Sequence, residues 1–531
     1  NWCCKIRANQ SKSQDLIDYR AVALGVALWS GALLQSAVSP WRICVAALIL
    51  IPIGIRKARF LVFIVAILVG ATAMSIRQAS LERSAIAQHF DSQINFTAQV
   101  MTDPSQSVSG KYSFTARLLA FDIEKKHFQL RVPVRIISQQ RVELLPGQTV
   151  RASARVVESN ESRVAAMLLV DKEMEVVTPP SRWASALGAI RTGLRTHSGD
   201  GDAGALIPGM VLGDTSKQSA QFKDQMKRSG LTHLVAVSGA NFAIVSSFVL
   251  WCMQFLIRST KYRMIATAIA LTCFIALVRP SPSVLRAAAM AAVLLSAHAT
   301  KRKTDSLPAL GFAIAAVVLA DPWQSRDAGF ALSVLATAGL LLFAPVIEEH
   351  LPTHKKLAGA LAPPIAAIVF CSPILVALSG YLSPMSIFAN LLAAPFVAPI
   401  TIVGFIGALV SPFAPAITSI LIYCIRVPAG VIAAIAKWSS QFPVLTIHNG
   451  LIGFAIVAVI VVFLWLFKKS WRRSTAVLIV LILSLTWLQR WPAGDWQIAN
   501  CDVGQGDSMV INLGHGRAIV IDVGPDPVAE N

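Results

Sequence analysis

The chain's 531 residues are 55% hydrophobic and 14% charged, and a mean hydropathy of +0.61 excludes an ordinary soluble domain in favour of a polytopic membrane protein. A formal net charge of +19 does not by itself demand a polyanionic partner, because Lys and Arg gather on the cytoplasmic flanks of membrane helices. Eight cysteines, mostly in apolar runs and without a CxxC pair, exclude a disulfide scaffold and a thiolate metal site.

The chain opens Asn1-Trp2-Cys3-Cys4, without Met and without a cleavable leader, so it reads as part of a longer frame whose first apolar run acts as its own insertion signal. Apolar runs at 21–38, 41–55 and 60–77 form an N-terminal membrane block within 1–79. The second falls short of the roughly 20 residues a span needs, so it is expected to tilt or to lie partly in the interface. From 80 to 180 the composition turns polar. Strand-type runs at 94–100, 112–121, 128–137, 149–157 and 166–177, separated by turn signals such as Asp103-Pro104 and Pro146-Gly147, predict a small five-stranded, OB-like barrel. Over 181–204, Trp183, Leu187, Ile190 and Leu194 recur at helical spacing with Arg182, Arg191 and Arg195 on the other side. That pattern predicts an amphipathic interfacial helix.

A second membrane block over 205–490 supplies ten further runs: 233–257, 264–278, 284–300, 306–320, 328–346, 358–380, 386–410, 415–434, 451–467 and 475–490. The fold expectation is thus a polytopic α-helical membrane protein of about 13 spans. If every basic cluster is cytoplasmic, among them Arg56-Lys57, Lys301-Arg302-Lys303 and Lys468-Lys469, the spans alternate consistently. Residues 80–232, the loop 321–327 and the tail after Trp491 then lie outside the cytoplasm, with the chain in the cytoplasmic (inner) membrane. The tail, 491–531, carries three short strand-type runs.

The richest segment is 231–245, where His233, Ser238, Gly239, Asn241 and Phe242 stand at the mouth of an apolar run. Ser238, Gly239 and Asn241 serve either as helix-packing residues or as a local break lining an aqueous path. His233 is a proton or phosphate contact or a structural histidine. Asp214 either caps a local turn or orients His233. Arg279 and Arg286 fall on the outer side against the positive-inside bias, which an anionic ligand or snorkelling to headgroups would explain. Arg326 and Asp327 are adjacent and are expected to form a structural ion pair. Asn390 is a lone amide in a run interrupted by Pro395 and Pro399, which suggests a helix bent around a cavity.

These pieces coincide in one family. Gly213-Asp214, Phe222, Gly230-Leu231, the run His233 to Gly239, Leu285-Arg286-Ala287 with Met290, Asp321-Pro322, Gly329-Phe330, Leu332-Ser333, and Asn390-Leu391-Leu392 with Pro395 resemble the ComEC family of competence proteins, the DNA-internalisation channels of natural transformation. The resemblance is most specific between 205 and 400. It implies an outer barrel, a membrane channel domain and, at 491–531, the start of a metallo-β-lactamase-like domain, through Asp502 to Ser508 and Ile521 to Pro525. The nine histidines contain no HxHxDH spacing, so the expectation is a truncated hairpin of that domain, with no metal site, no cofactor and no enzymatic activity in this chain.

The resemblance implies translocation of single-stranded DNA. Its implied partners are that strand, membrane lipid, a DNA receptor outside and a cytoplasmic translocation ATPase, and it admits a homo-oligomer. A strand is held by phosphate neutralisation and base stacking, which makes Arg279, Arg286, Phe242 and Trp323 the candidates for its path. The rivals are a small-molecule secondary transporter, whose broken helices carry Gly, Asn and Pro at depth, and a membrane-tethered metallohydrolase. No inverted repeat is apparent, and ten runs after the barrel exceed what an anchor needs.

Overall fold

The computed structural model describes residues 20–35, 58–106, 110–123, 126–140, 142, 144–159, 161–235, 237–279, 282–299, 306–351, 353–447, 450–466, 497–502, 507–514 and 517–521. The expected spans at 41–55 and 475–490 lie outside the described residues. Two helices precede the barrel, α1 (Arg20–Gln35) and α2 (Ala58–Glu82). Gly31 of α1 backs onto the Ile67 carbonyl of α2, and Gly70 of α2 backs onto that of Leu28. A side chain at either glycine would hold the two backbones apart, which is how small residues let membrane helices approach closely.

The barrel follows. Strands β1 (Gln93–Val100), β2 (Ser105–Gln106), β3 (Tyr112–Ile123), β4 (Lys126–Ser138), β5 (Thr149–Val157), β6 (Met167–Val170) and β7 (Glu175–Thr178) form one sheet. Its five main strands pair in the order β1-β3-β4-β6-β5, and β5 returns to β1, so the ring has no open edge. β4 and β6 run parallel, and the other ring pairs are antiparallel. Alternation along β1 sends Ile94, Phe96, Ala98 and Val100 inward, where they meet Phe114, Leu118, Phe121, Ile136 and Leu168. Register shifts at Thr97/Ala98 and Leu118/Ala120 bend the strands as closure requires. The run read as one strand at 166–177 is two: Asp171-Lys172-Glu173 interrupts it, and β7 pairs with β5 alone on the described sheet path.

After the barrel come α3 (Arg182–His197), α4 (Gly201–Leu212), α5 (Ala220–Arg228), α6 (Thr232–Val235), α7 (Gly239–Leu256), α8 (Thr260–Val278), α9 (Pro282–Ala299) and α10 (Ser306–Ala320). A 3-10 turn (Pro322–Arg326) leads to α11 (Ala328–Leu342) and α12 (Ala344–His350), bent by 44° from one another, then α13 (Lys355–Ser379) and α14 (Ser386–Val410). The helices end with α15 (Pro415–Ser439) and α16 (Gly450–Leu466), and a two-stranded ribbon, β8 (Tyr381–Leu382) with β9 (Leu445–Thr446), ties α13 to the end of α15. Strands β10 (Ile498–Asp502), β11 (Asp507–Gly514) and β12 (Arg517–Ile521) form a separate antiparallel sheet.

Among the described residues six helices are long and apolar enough to cross a bilayer, within α2, α7, α8, α13, α14 and α15, and a seventh if α11 and α12 are one bent span. The protein is therefore a membrane protein with a strand-rich region near its N-terminus. Helix α4 departs from the sequence reading. Its twelve residues rise only about 18 Å, yet Gly204 to Leu212 are all buried among other helices, so it enters the bundle without traversing it. It stops where Gly213 turns left-handed, at φ 71°.

Among the described residues ion pairs fasten the barrel to the helices at two places of opposite polarity, Arg163 and Asp103. Arg163, in the loop before β6, donates from Nη2 to Asp327 Oδ2 at 2.9 Å and to the Trp323 carbonyl at 3.0 Å. Asp103, in the loop after β1, accepts from Arg279 at the end of α8. The end of α8 and the α10–α11 junction thus share the barrel's side of the bundle.

Candidate functional site

The site is built on the interruption between α6 and α7. Ser238 is extended, at φ −92° and ψ 165°, and its hydroxyl accepts from the Asn241 amide at 3.2 Å, so it caps α7. The Ser-Gly-Ala-Asn sequence ahead of an apolar run makes this cap legible locally. Asn241 is 0% exposed. Its Nδ2 donates to the Met210 carbonyl of α4 at 3.0 Å, while its Oδ1 is buried with no partner among the described residues. Helix α4 lies directly against the break, because a Cβ on Gly209 would stand 2.5 Å from the Val235 carbonyl.

Arg286 of α9 converges on the same place and is 5% exposed. Its Nε donates to Ser333 Oγ at 3.0 Å, its Nη1 donates to Thr337 Oγ1, and Nη1 also lies 3.5 Å from Met290 Sδ. Ser333 and Thr337 are one turn apart on α11, and the Thr337 hydroxyl donates back to the Ser333 carbonyl at 3.0 Å. That leaves its lone pairs to receive the guanidinium. Nη2 occupies the space above Gly239, where a Cβ would come within 2.7 Å of it. Among the described residues no carboxylate forms an ion pair with Arg286. A buried cation compensated only by hydroxyls costs several kcal/mol.

A second cationic group lies beneath the barrel. Arg279 sits at φ 74°, a conformation costly for a non-glycine residue, and grips Asp103 through two bonds, Nε to Oδ2 at 3.1 Å and Nη2 to Oδ1 at 2.9 Å. Arg191 of α3 donates from Nη1 to the carbonyls of Leu212 and Leu277 at 2.9 and 3.0 Å, and its Nη2 lies 3.3 Å from the same Asp103 carboxylate. Burial pulls the Arg191 guanidinium below its ordinary pKa, and Asp103 and Asp214 oppose that shift. The amphipathic reading of α3 placed Arg191 on the polar side. It turns inward because the C-terminal carbonyls of α4 and α8 converge there.

The other expected residues are scattered. Phe242 is 2% exposed and packs beside Phe274 at 5.9 Å, and Trp323 is 7% exposed in the cluster with Phe330 and Met74. In this structure both rings pack against apolar neighbours rather than presenting a free face. Arg326 does not take Asp327, whose carboxylate pairs with Arg163 and caps α11 through the Phe330 amide. Neighbouring residues at a helix start point apart, and the barrel supplies the nearer cation. Asp214 does not orient His233: it accepts from the amide and hydroxyl of Ser216 and lies 3.8 Å from Arg195. His233 is exposed on α6. Asn390 donates to the Ser386 carbonyl at 2.7 Å within its own helix, and α14 continues as one helix past Pro395 and Pro399.

Side chains around the break are closely packed. Met210, Phe242, Val245, Val249 and Leu271 belong to one buried cluster. Among the described residues clefts open elsewhere, such as one of about 270 Å³ on the barrel at Asp91, Arg155 and Lys172 and one of about 340 Å³ at Arg163, Arg326 and Asp327. Among the described residues no group of three or more His, Cys, Asp or Glu is placed to hold a metal ion.

Residues 210–474 match the family described as Competence protein, a segment that contains the break, Arg286, Ser333 and Thr337 but not the barrel. Over 333 residues the chain is 23% identical to ComE operon protein 3 of Bacillus subtilis (strain 168), an alignment taking in 61% of this chain and 42% of that protein. The chain thus covers under half the length of that relative. No solved structure matches.

Proposed function

The chain belongs to the ComEC family of competence proteins, and from that membership together with the chemistry at Arg286 we propose that it serves DNA uptake, passing a single strand across the inner membrane. The observation that carries the reading is the Arg286 guanidinium, buried at a helix break with no carboxylate paired to it among the described residues. A phosphodiester moving past would supply the missing negative charge one unit at a time, and weak hydroxyl partners let each phosphate leave. Ser238 and the free Asn241 Oδ1 offer polar contacts at the same depth. Because side chains pack closely around the break, passage requires it to part from α4 and α9.

The closed ring with its parallel β4–β6 pair supports the OB-like reading of 80–180, and the basic clusters support an extracytoplasmic position for 80–232 and for the tail. On this reading the barrel meets DNA delivered by an outer receptor, a cytoplasmic ATPase draws the strand, and 491–531 begins a metallo-β-lactamase-like domain that takes no part in conduction. The chain itself acts as a channel without catalysis.

The test is uptake of labelled DNA by a strain that lacks this protein and carries Arg286→Ala or Arg286→Lys in its place, with insertion verified by quantifying the protein in membranes. Uptake should fall at least about tenfold for Ala, the loss of roughly 1.4 kcal/mol or more, and less for Lys, which keeps the charge but not the fork. Undiminished uptake by Arg286→Ala would refute the role.

A further inference from the structure

Three arginines, Arg191, Arg195 and Arg279, converge beneath the barrel on two carboxylates, Asp103 and Asp214. Only Asp103 comes from the barrel, and the loop bearing it joins β1 to the short β2. Its two oxygens lie in the fork of Arg279 and one of them also faces Arg191, the geometry in which two guanidinium groups would hold the non-bridging oxygens of a phosphate. Arg191 is anchored independently of Asp103, through the carbonyls of Leu212 and Leu277, so its position survives loss of the carboxylate. Among the described residues Arg279 pairs with Asp103 alone and is only partly covered, and its backbone at φ 74° is held away from relaxed geometry. The barrel keeps its second fastening, Arg163 to Asp327 and the Trp323 carbonyl, when Asp103 lets go.

We propose that Arg279 and Arg191 form a phosphate-binding site for the incoming nucleic-acid strand, and that Asp103 occupies it as a built-in stand-in for phosphate until the strand displaces it. The inference rests on the uptake reading above. Displacement swaps one carboxylate for one phosphodiester, so the charge in the site is unchanged and the exchange is close to balanced. The strand prevails by its further contacts along the path. The barrel's fastening at Asp103 is thereby coupled to the presence of a strand.

The test uses the full chain in lipid nanodiscs with a fluorescent oligothymidylate. Asp103→Asn keeps the side chain's size and removes the competitor, so binding should tighten by about three- to tenfold at low salt, with a steeper salt dependence. Adding Arg279→Gln to that variant should erase the gain. In the wild type, amide exchange over 101–106 should accelerate when the oligonucleotide binds, a readout that needs no variant to fold. If the oligonucleotide binds the wild type but Asp103→Asn gains nothing and exchange over 101–106 is unchanged or slowed, the stand-in is refuted while the uptake reading survives. If neither protein binds the oligonucleotide, both are refuted.

Discussion

Arg286 and Gly239 fit one another: the guanidinium of one fills the space that the missing side chain of the other leaves, with only 2.7 Å between Nη2 and the place of a Cβ. Three sequence elements far apart in the chain, the break at 238–239, the start of α9 and the hydroxyl pair of α11, therefore act as one unit.

Gly239→Ala follows directly. A methyl at that distance forces the guanidinium aside, and overpacking of this kind costs about 1–3 kcal/mol. Uptake should drop about tenfold or more while the protein still accumulates in membranes. Normal uptake by Gly239→Ala would separate the two residues functionally.

The hydroxyls of Ser333 and Thr337 hold Arg286 in place. Ser333→Ala or Thr337→Val leaves a buried N–H unsatisfied, at a cost of about 1–3 kcal/mol each. Because both act on one guanidinium, the double variant should lose less uptake than the product of the single losses. A double-mutant cycle on uptake rates reads this, and strict additivity would mean the hydroxyls act elsewhere.

The barrel has its own core, so it should fail separately from the membrane block. Phe121 is fully buried and stacks on Phe128 at 4.8 Å. Phe121→Ala should cost about 3–5 kcal/mol and expose the segment 93–178 to protease, leaving 239–439 protected in the bilayer. Simultaneous loss of both blocks would show that the membrane helices depend on the barrel.

Arg163→Ala removes one of the two fastenings. Its pair with Asp327 is partly solvated, so the stability lost is about 1 kcal/mol or less. Distances between spin labels on the barrel and on α10 should broaden modestly in this variant and much more when Asp103→Asn is added. Equal distributions in all three proteins would show that other contacts set the barrel's seat.

How far the sequence reached depended on the range of the interactions. The break was legible because its signals are local: Ser238 caps within three residues, and glycine and asparagine in an apolar run mark a polar opening. Arg286 stood out because a cation is costly in such a run. Its acceptors did not, since Ser333 and Thr337 are ordinary hydroxyls on a helix about 50 positions away. Asp103 read as a turn residue before Pro104, and its partner lies 176 positions on. Periodicity put Arg191 on the polar side of α3 because spacing alone is blind to carbonyls that converge from α4 and α8. Helix α4 is not legible, since twelve residues that include Asp202, three glycines and an internal proline resemble neither a span nor a surface helix. The burial of Trp323 and Phe242 is not legible for a related reason: aromatic rings near a membrane surface serve stacking and core packing equally well, and only the tertiary neighbours decide.

The central claim is that a strand passes between the α6–α7 break and Arg286. Its most direct test is a photocrosslinking residue placed at Ser238, compared with one at Ile420, which is exposed on the outer face of α15, during uptake of labelled DNA. The account predicts DNA adducts at 238 that disappear when Arg286→Ala is introduced, and none at 420. Adducts at 420 without any at 238 during active uptake would contradict it.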